Sequence, residues 1–237
     1  CVCVPAKDFA VDLDAIAAAV DATTRLMFIT NPNNPTGLAL TESAIDAFLA
    51  KIPRDCIVVL DEAYCHYLAP EERTDSLKWV KEYANVVVTR TFSKAYGLAG
   101  LRSGFALAQP ALIEMLNRIR PPFNMNTAAQ AAAAACIDDA GFLERVYKEN
   151  RAGVETLETF FKEQEIRYLP TTANFVLAQT GPKTAELNTE LLKRGVILRP
   201  VKSYGLPDWL RVSVGTAREN ARFIEAFQAA RKALGLI

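Results

Sequence analysis

The chain has 237 residues, 51% of them hydrophobic, with 27 basic and 27 acidic side chains and zero formal net charge, a length that suits one large domain or two small ones. A neutral chain without a basic stripe lacks the electrostatic footprint of a nucleic-acid binder, and no apolar run approaches the roughly 20 residues needed to cross a bilayer. The first residues lack the charged start of a secretory signal, so the cytoplasm is the expected compartment.

In chain order, Leu13, Ile16 and Val20 recur at helical spacing and predict a helix over 12–20. Residues 25–30 form a short apolar run that stops at an Asn-Pro turn signal. A helix over 41–52 follows, with Ile45, Phe48, Leu49 and Ile52 on one face behind a Thr41 cap. The alternation continues with a strand over 56–60, a helix over 75–83, strands at 86–89 and 104–108, and a helix over 110–118. Strands apolar along their whole length that alternate with helices predict a parallel sheet covered on both faces. Residues 126–139 and 142–162 read as long helices. Beyond them lie an apolar run at 174–178, a helix near 183–193, runs at 196–198 and 209–214, and a terminal helix over 217–234. The expected organisation is an α/β domain over 1–145, mostly a parallel sheet flanked by helices, and a smaller C-terminal α+β domain over 146–237.

Side-chain chemistry narrows the function classes. The five cysteines, Cys1, Cys3, Cys56, Cys65 and Cys136, show no paired spacing of a zinc or redox site, and read as reduced thiols. His66 is the only histidine and no G-x-S-x-G elbow accompanies it, which argues against a serine hydrolase or a multi-histidine metal centre. No metal site is expected, and His66 reads as an ordinary loop or cleft-edge residue.

Ligands of an open parallel sheet bind beyond the carboxyl ends of its strands. The residues that follow the first three strands are Asn31-Pro32-Asn33-Asn34-Pro35-Thr36-Gly37, Asp61-Glu62-Ala63-Tyr64 and Thr91-Phe92-Ser93-Lys94. Taken singly, each has a bland reading as a turn former, a helix cap or a solvated lysine. Together, an amide, a carboxylate, a phenol and an amine at one sheet edge meet the needs of pyridoxal phosphate: an imine-forming lysine, a carboxylate for the pyridine nitrogen and donors for the phenolic oxygen. Thr91, Ser93 and Arg102 add two hydroxyls and a guanidinium suited to a phosphate monoester. The glycines at 97, 100 and 104 would let the loop fold back so that Arg102 reaches that phosphate.

The segments NPNNPTG (31–37), DEAY (61–64), TFSKAYGLAGLRSG (91–104) and LRVSVGT (210–216), with RPPFNMNTAAQ (120–130) and GVILRP (195–200), resemble the signatures of fold-type I pyridoxal-phosphate-dependent aminotransferases, most nearly the histidinol-phosphate aminotransferases. The resemblance runs from near the first residue to the last. It implies that Lys94 is the lysine joined covalently to the cofactor, that Asp61 pairs with the pyridine nitrogen, that Tyr64 and Asn34 hydrogen-bond the ring oxygen, and that Thr91, Ser93 and Arg102 hold the phosphate. It implies Arg211 and then Arg199 as the substrate's anion-binding residues, which without it would read as solvated strand-end arginines. Asn34-Pro35 is expected to be cis, as in related folds.

The activity implied is transamination of histidinol phosphate with 2-oxoglutarate by a homodimer. The alternatives are an aromatic aminotransferase, a decarboxylase acting on a phosphorylated amino acid, or a non-catalytic remnant. The last arises because members of the resembled subfamily carry on the order of one domain's worth of chain before the segment that Cys1-Val2-Cys3-Val4 opens here. By that resemblance the chain is expected to be a piece of a longer polypeptide.

Overall fold

The computed structural model describes residues 1–237, and the chain divides into two compact units: residues 1–33 with 39–145, and residues 34–38 with 146–237.

The first unit contains α1 (Leu13–Ala18), β1 (Leu26–Thr30), α2 (Glu42–Leu49), β2 (Ile57–Asp61), α3 (Ser76–Glu82), β3 (Val86–Thr91), β4 (Gly104–Leu107), α4 (Pro110–Ile119) and α5 (Thr127–Cys136). Its four strands lie in the order β1-β2-β3-β4. β1, β2 and β3 are parallel, and β4 runs antiparallel to β3. The sheet is thus mostly parallel, as expected, with β4 the one reversed strand. No α-helix separates β3 from β4, and a right-handed parallel crossover normally requires one.

Alternation turns Ile29, Val58, Leu60, Val86 and Val88 to one face. There they bury Ile45, Phe48 and Leu49 of α2 and Trp79 of α3 in a common core, with Cys56 fully enclosed among them. Thr41 caps α2, its Oγ1 accepting from Ala44 N at 3.2 Å, and Trp79 anchors α3 by donating from Nε1 to Asp46 at 2.5 Å. The expectation of cover on both faces is not met at β1, where Leu26 and Phe28 stay 50% and 67% exposed.

The second unit contains most of α6 (Ala140–Glu163), β5 (Tyr168–Leu169), β6 (Phe175–Gln179), α7 (Thr184–Lys193), β7 (Arg199–Pro200), β8 (Trp209–Ser213) and α8 (Ala217–Ala233). The strands form an antiparallel sheet ordered β5-β6-β8-β7. The apolar run 196–198 stays outside the ladder, which starts at Arg199. Phe160 and Phe161 of α6 and Phe223 and Phe227 of α8 pack edge to face over β6 and β8, the geometry that the ring quadrupole favours. Thr216 and Glu219 form a reciprocal capping box at the start of α8.

Residues 34–38 are tied into this unit by Gly37, whose carbonyl accepts from Thr172 N at 2.9 Å and from its Oγ1 at 3.0 Å. Gly37 has a φ of +75°, and a Cβ there would fall 2.0 Å from Thr171 Oγ1, so the position excludes any larger residue. The peptide bonds Asn31-Pro32 and Asn34-Pro35 are cis.

Candidate active site

Strand register lines up Thr30, Asp61 and Thr89 across the carboxyl edge of the first unit's sheet. Since side chains alternate along a strand, Asp61, Thr89 and Thr91 point to the face opposite Leu60, Glu62 and Arg90. Asp61 Oδ1 accepts from Ala63 N at 3.1 Å, which turns the chain at once and brings Tyr64 into a buried position. Lys94 follows β3 in a tight turn closed by Gly97 N to Lys94 O and Leu98 N to Phe92 O, each 2.9 Å. Its Nζ lies 5.2 Å from the centre of the Tyr64 ring, within the reach of a cation–π contact. The carboxylate's turn and the amine's turn therefore meet on one edge.

The hydroxyl of Thr91 holds the loop: Oγ1 accepts from Ser93 N at 3.0 Å and donates to Ser103 O at 3.3 Å. The loop's reversal differs from the three-glycine expectation. Gly97 takes a φ of +71° and Arg102, a non-glycine residue, takes +57°. Gly100 does neither. Gly104 serves close approach, for a Cβ on it would stand 2.7 Å from Arg90 O. Arg102 is exposed and Nη1 donates to Ala99 O at 2.9 Å.

Beneath Asp61, on the other face, Glu62 is buried and paired with Arg90, whose Nε donates to Oε2 at 2.9 Å. Ser76 of α3 donates to Oε1 and accepts from Arg90 Nη2 at 3.2 Å. A buried carboxylate held by a part-buried guanidinium in this way is costly to leave unpaired, so the pair anchors the backbone beside Asp61.

In the second unit Arg211 lies within β8 and half-buried, not at a strand end. Nη1 donates to Asn34 Oδ1, and the guanidinium sits 4.8 Å from the centre of the Phe175 ring. Its Nε is buried with no hydrogen-bond partner. Arg199 is the register neighbour of Arg211 across β7 and β8. Like charges placed opposite each other destabilise a sheet unless something neutralises them, and an unpaired buried donor has a similar cost. Both features fit a bound anion.

The structure thus groups Asp61, Tyr64, Thr91, Ser93, Lys94 and Arg102 in the first unit, and Asn34, Arg199 and Arg211 in the second. The pairing of Asn34 with Arg211 is invisible to a spacing argument, since 177 residues separate them. Sequence reasoning also missed Glu62 and Arg90. Their signal would have been the register that sets position 62 beside position 90 on one face.

The profile of the Aminotransferase class I and II family matches residues 1–227, and the chain belongs to that family. Within it, the chain is 52% identical over 230 residues to histidinol-phosphate aminotransferase 2 of Ralstonia nicotianae, covering 96% of this chain and 62% of that protein. It is 51% identical over 232 residues to histidinol-phosphate aminotransferase 1 of Cupriavidus pinatubonensis, covering 97% and 62%. It therefore spans 62% of the length of these curated relatives. The structure of histidinol-phosphate aminotransferase from Sinorhizobium meliloti in complex with pyridoxal-5'-phosphate superimposes with a TM-score of 0.90 at 29% identity, covering 98% of this chain and 64% of that one. The mostly parallel sheet of the first unit and the antiparallel sheet of the second belong to the aminotransferase fold.

Proposed function

We propose that this chain takes part in pyridoxal-phosphate-dependent transamination, with histidinol phosphate as amino donor and 2-oxoglutarate as acceptor. The observation that carries the reading is the single strand-end edge on which Asp61, Tyr64, Thr91, Ser93 and Lys94 stand. Its donor set fits the cofactor: a carboxylate for a ring cation, a phenol for a ring oxygen, hydroxyls and a guanidinium for a phosphate, and one amine. Pyridoxal phosphate, when bound, supplies an electron sink for the pair left on carbon as the amino donor loses its α-proton.

The chain's own residues would do the rest. Asp61 would hold a proton on the pyridine nitrogen by offering it a fixed negative charge. Tyr64 Oη and the amide of Asn34 would hydrogen-bond the phenolic oxygen. Ser93 and Arg102 would bind the phosphate, with Thr91 shaping the loop that presents them. Lys94 would bear the cofactor and then, released, would carry the α-proton on Nζ as a general base. In the second unit, Arg211 would grip the substrate's anionic end through its Nε side, with Arg199 adding charge beside it.

A homodimer is part of the reading, supported by the exposure of Ile119 and Phe123, 79% and 98%, in the first unit, since large apolar side chains left on a surface suit association. The substrate is tested by single-turnover spectroscopy of the cofactor-loaded protein with histidinol phosphate, phenylalanine and phosphothreonine as donors. Histidinol phosphate should convert the cofactor at least about tenfold faster than either other donor. Faster conversion by phenylalanine or phosphothreonine would contradict the assignment.

A further inference from the structure

The one histidine of the chain stands, half-buried, in the connection that follows β2. His66 lies two residues after Tyr64, in the 3₁₀ turn Cys65–Tyr67. Tyr96 lies two residues after Lys94. The two rings meet edge to face, with centroids 5.0 Å apart and planes at 72°, and Tyr96 Oη is 3.5 Å from His66 Nε2. Each partner is fixed from behind. Tyr96 is buried and packs on Phe92, whose ring centre is 4.9 Å away. The His66 turn is held by Arg73, which donates from Nη2 to His66 O at 3.0 Å and from Nε to Leu68 O at 3.1 Å.

We infer that His66 and Tyr96 form a latch joining the turn that carries Tyr64 to the turn that carries Lys94, and that both are positioning residues for the site proposed above. The latch closes two residues beyond each functional side chain. With both turns tied at that distance, the backbone that carries Tyr64 is braced against the backbone that carries Lys94. A phenyl ring at position 66 would pack against Tyr96 without the cost of burying a basic group. What imidazole adds is a pair of ring nitrogens that can hydrogen-bond, Nε2 toward the Tyr96 hydroxyl and Nδ1 facing Cys65 Sγ, each at 3.5 Å.

The surroundings favour the neutral ring, in which one of the two nitrogens accepts. Burial, then the Arg90 and Arg73 guanidiniums, push the His66 pKa down to about 4. The neighbouring Cys65 thiol is held neutral too, pushed up to about 11 chiefly by burial. The Arg90 paired with Glu62 beneath Asp61 thus adds to burial in favouring an uncharged latch.

The inference rests on the proposed function, and two measurements separate them. In the full chain without cofactor, the nuclear magnetic resonances of the sole imidazole should show no titration between about pH 5 and 8. A midpoint near the ordinary 6.5 would overturn the latch whatever the cofactor does. In the loaded protein, His66→Ala and Tyr96→Phe should each lower kcat about tenfold and displace the pH midpoint of the Lys94-linked visible absorbance. The double variant should be no worse than His66→Ala, because both remove one coupled contact. His66→Gln, which returns a hydrogen-bonding group near the position of Nε2, should recover part of the loss. A normal band whose midpoint is the same in all variants, with only thermal stability reduced, would overturn the inference alone. No band in the unmodified protein would overturn the proposed function beneath it.

Discussion

At position 211 a guanidinium has one nitrogen committed to Asn34 and another buried without an acceptor. A lysine there keeps the charge but loses the planar fork, so Arg211→Lys should raise KM for the amino donor about tenfold or more while the protein stays folded. Steady-state kinetics check this, and an unchanged KM would remove Arg211 from substrate binding. His66 gives a second prediction. Its folded pKa of about 4 lies below the ordinary 6.5, so between those values the unfolded chain binds more protons. Its contribution is present above pH 6.5 and is lost as pH falls toward 4, by up to about 3 kcal/mol. Denaturant unfolding of the wild type and His66→Gln across pH 4–7 should therefore diverge on the acid side, the wild type losing stability faster; parallel curves would contradict it. The residues after each strand were legible in the sequence because apolar runs announce where a parallel strand ends. The partners of His66, Glu62 and Arg211 were not, because each contact depends on register or on tertiary approach.

Among the elements, α3 shows how one residue can fix a helix. Trp79 is fully buried between the sheet and α2 and hydrogen-bonded to Asp46. Trp79→Ala should cost about 3–5 kcal/mol through the cavity and the lost contact, read as a shift of the denaturant midpoint. A loss under about 1 kcal/mol would mean that α3 does not close the core. Most helices and strands could be placed from periodicity and capping residues, as with Thr41 and Thr216. Direction and exact span could not. β4 is apolar enough for a buried parallel strand, yet its short connection to β3 reverses it. The apolar run 196–198 carries strand propensity, but pairing with β8 starts only at Arg199.

On the scale of the whole molecule, two separate cores form around two sheets of different type, and Leu26, Phe28, Ile119 and Phe123 remain on the surface of the first. If Ile119 and Phe123 belong to a dimer contact, Ile119→Glu with Phe123→Glu should lower the sedimentation mass toward 26.0 kDa, and identical profiles for both proteins would contradict that role. The order of the motifs, and the family they resemble, were legible throughout. The assignment of residues 34–38 to the second unit was not, since it depends on Gly37 meeting Thr171 and Thr172. The account rests on the amine at position 94, and the most direct measurement is borohydride reduction of the pyridoxal-phosphate-loaded protein followed by peptide mass mapping. It should abolish a visible absorbance band and leave the cofactor's mass on Lys94. A folded protein with no such band, or with the label on a different lysine, would contradict it.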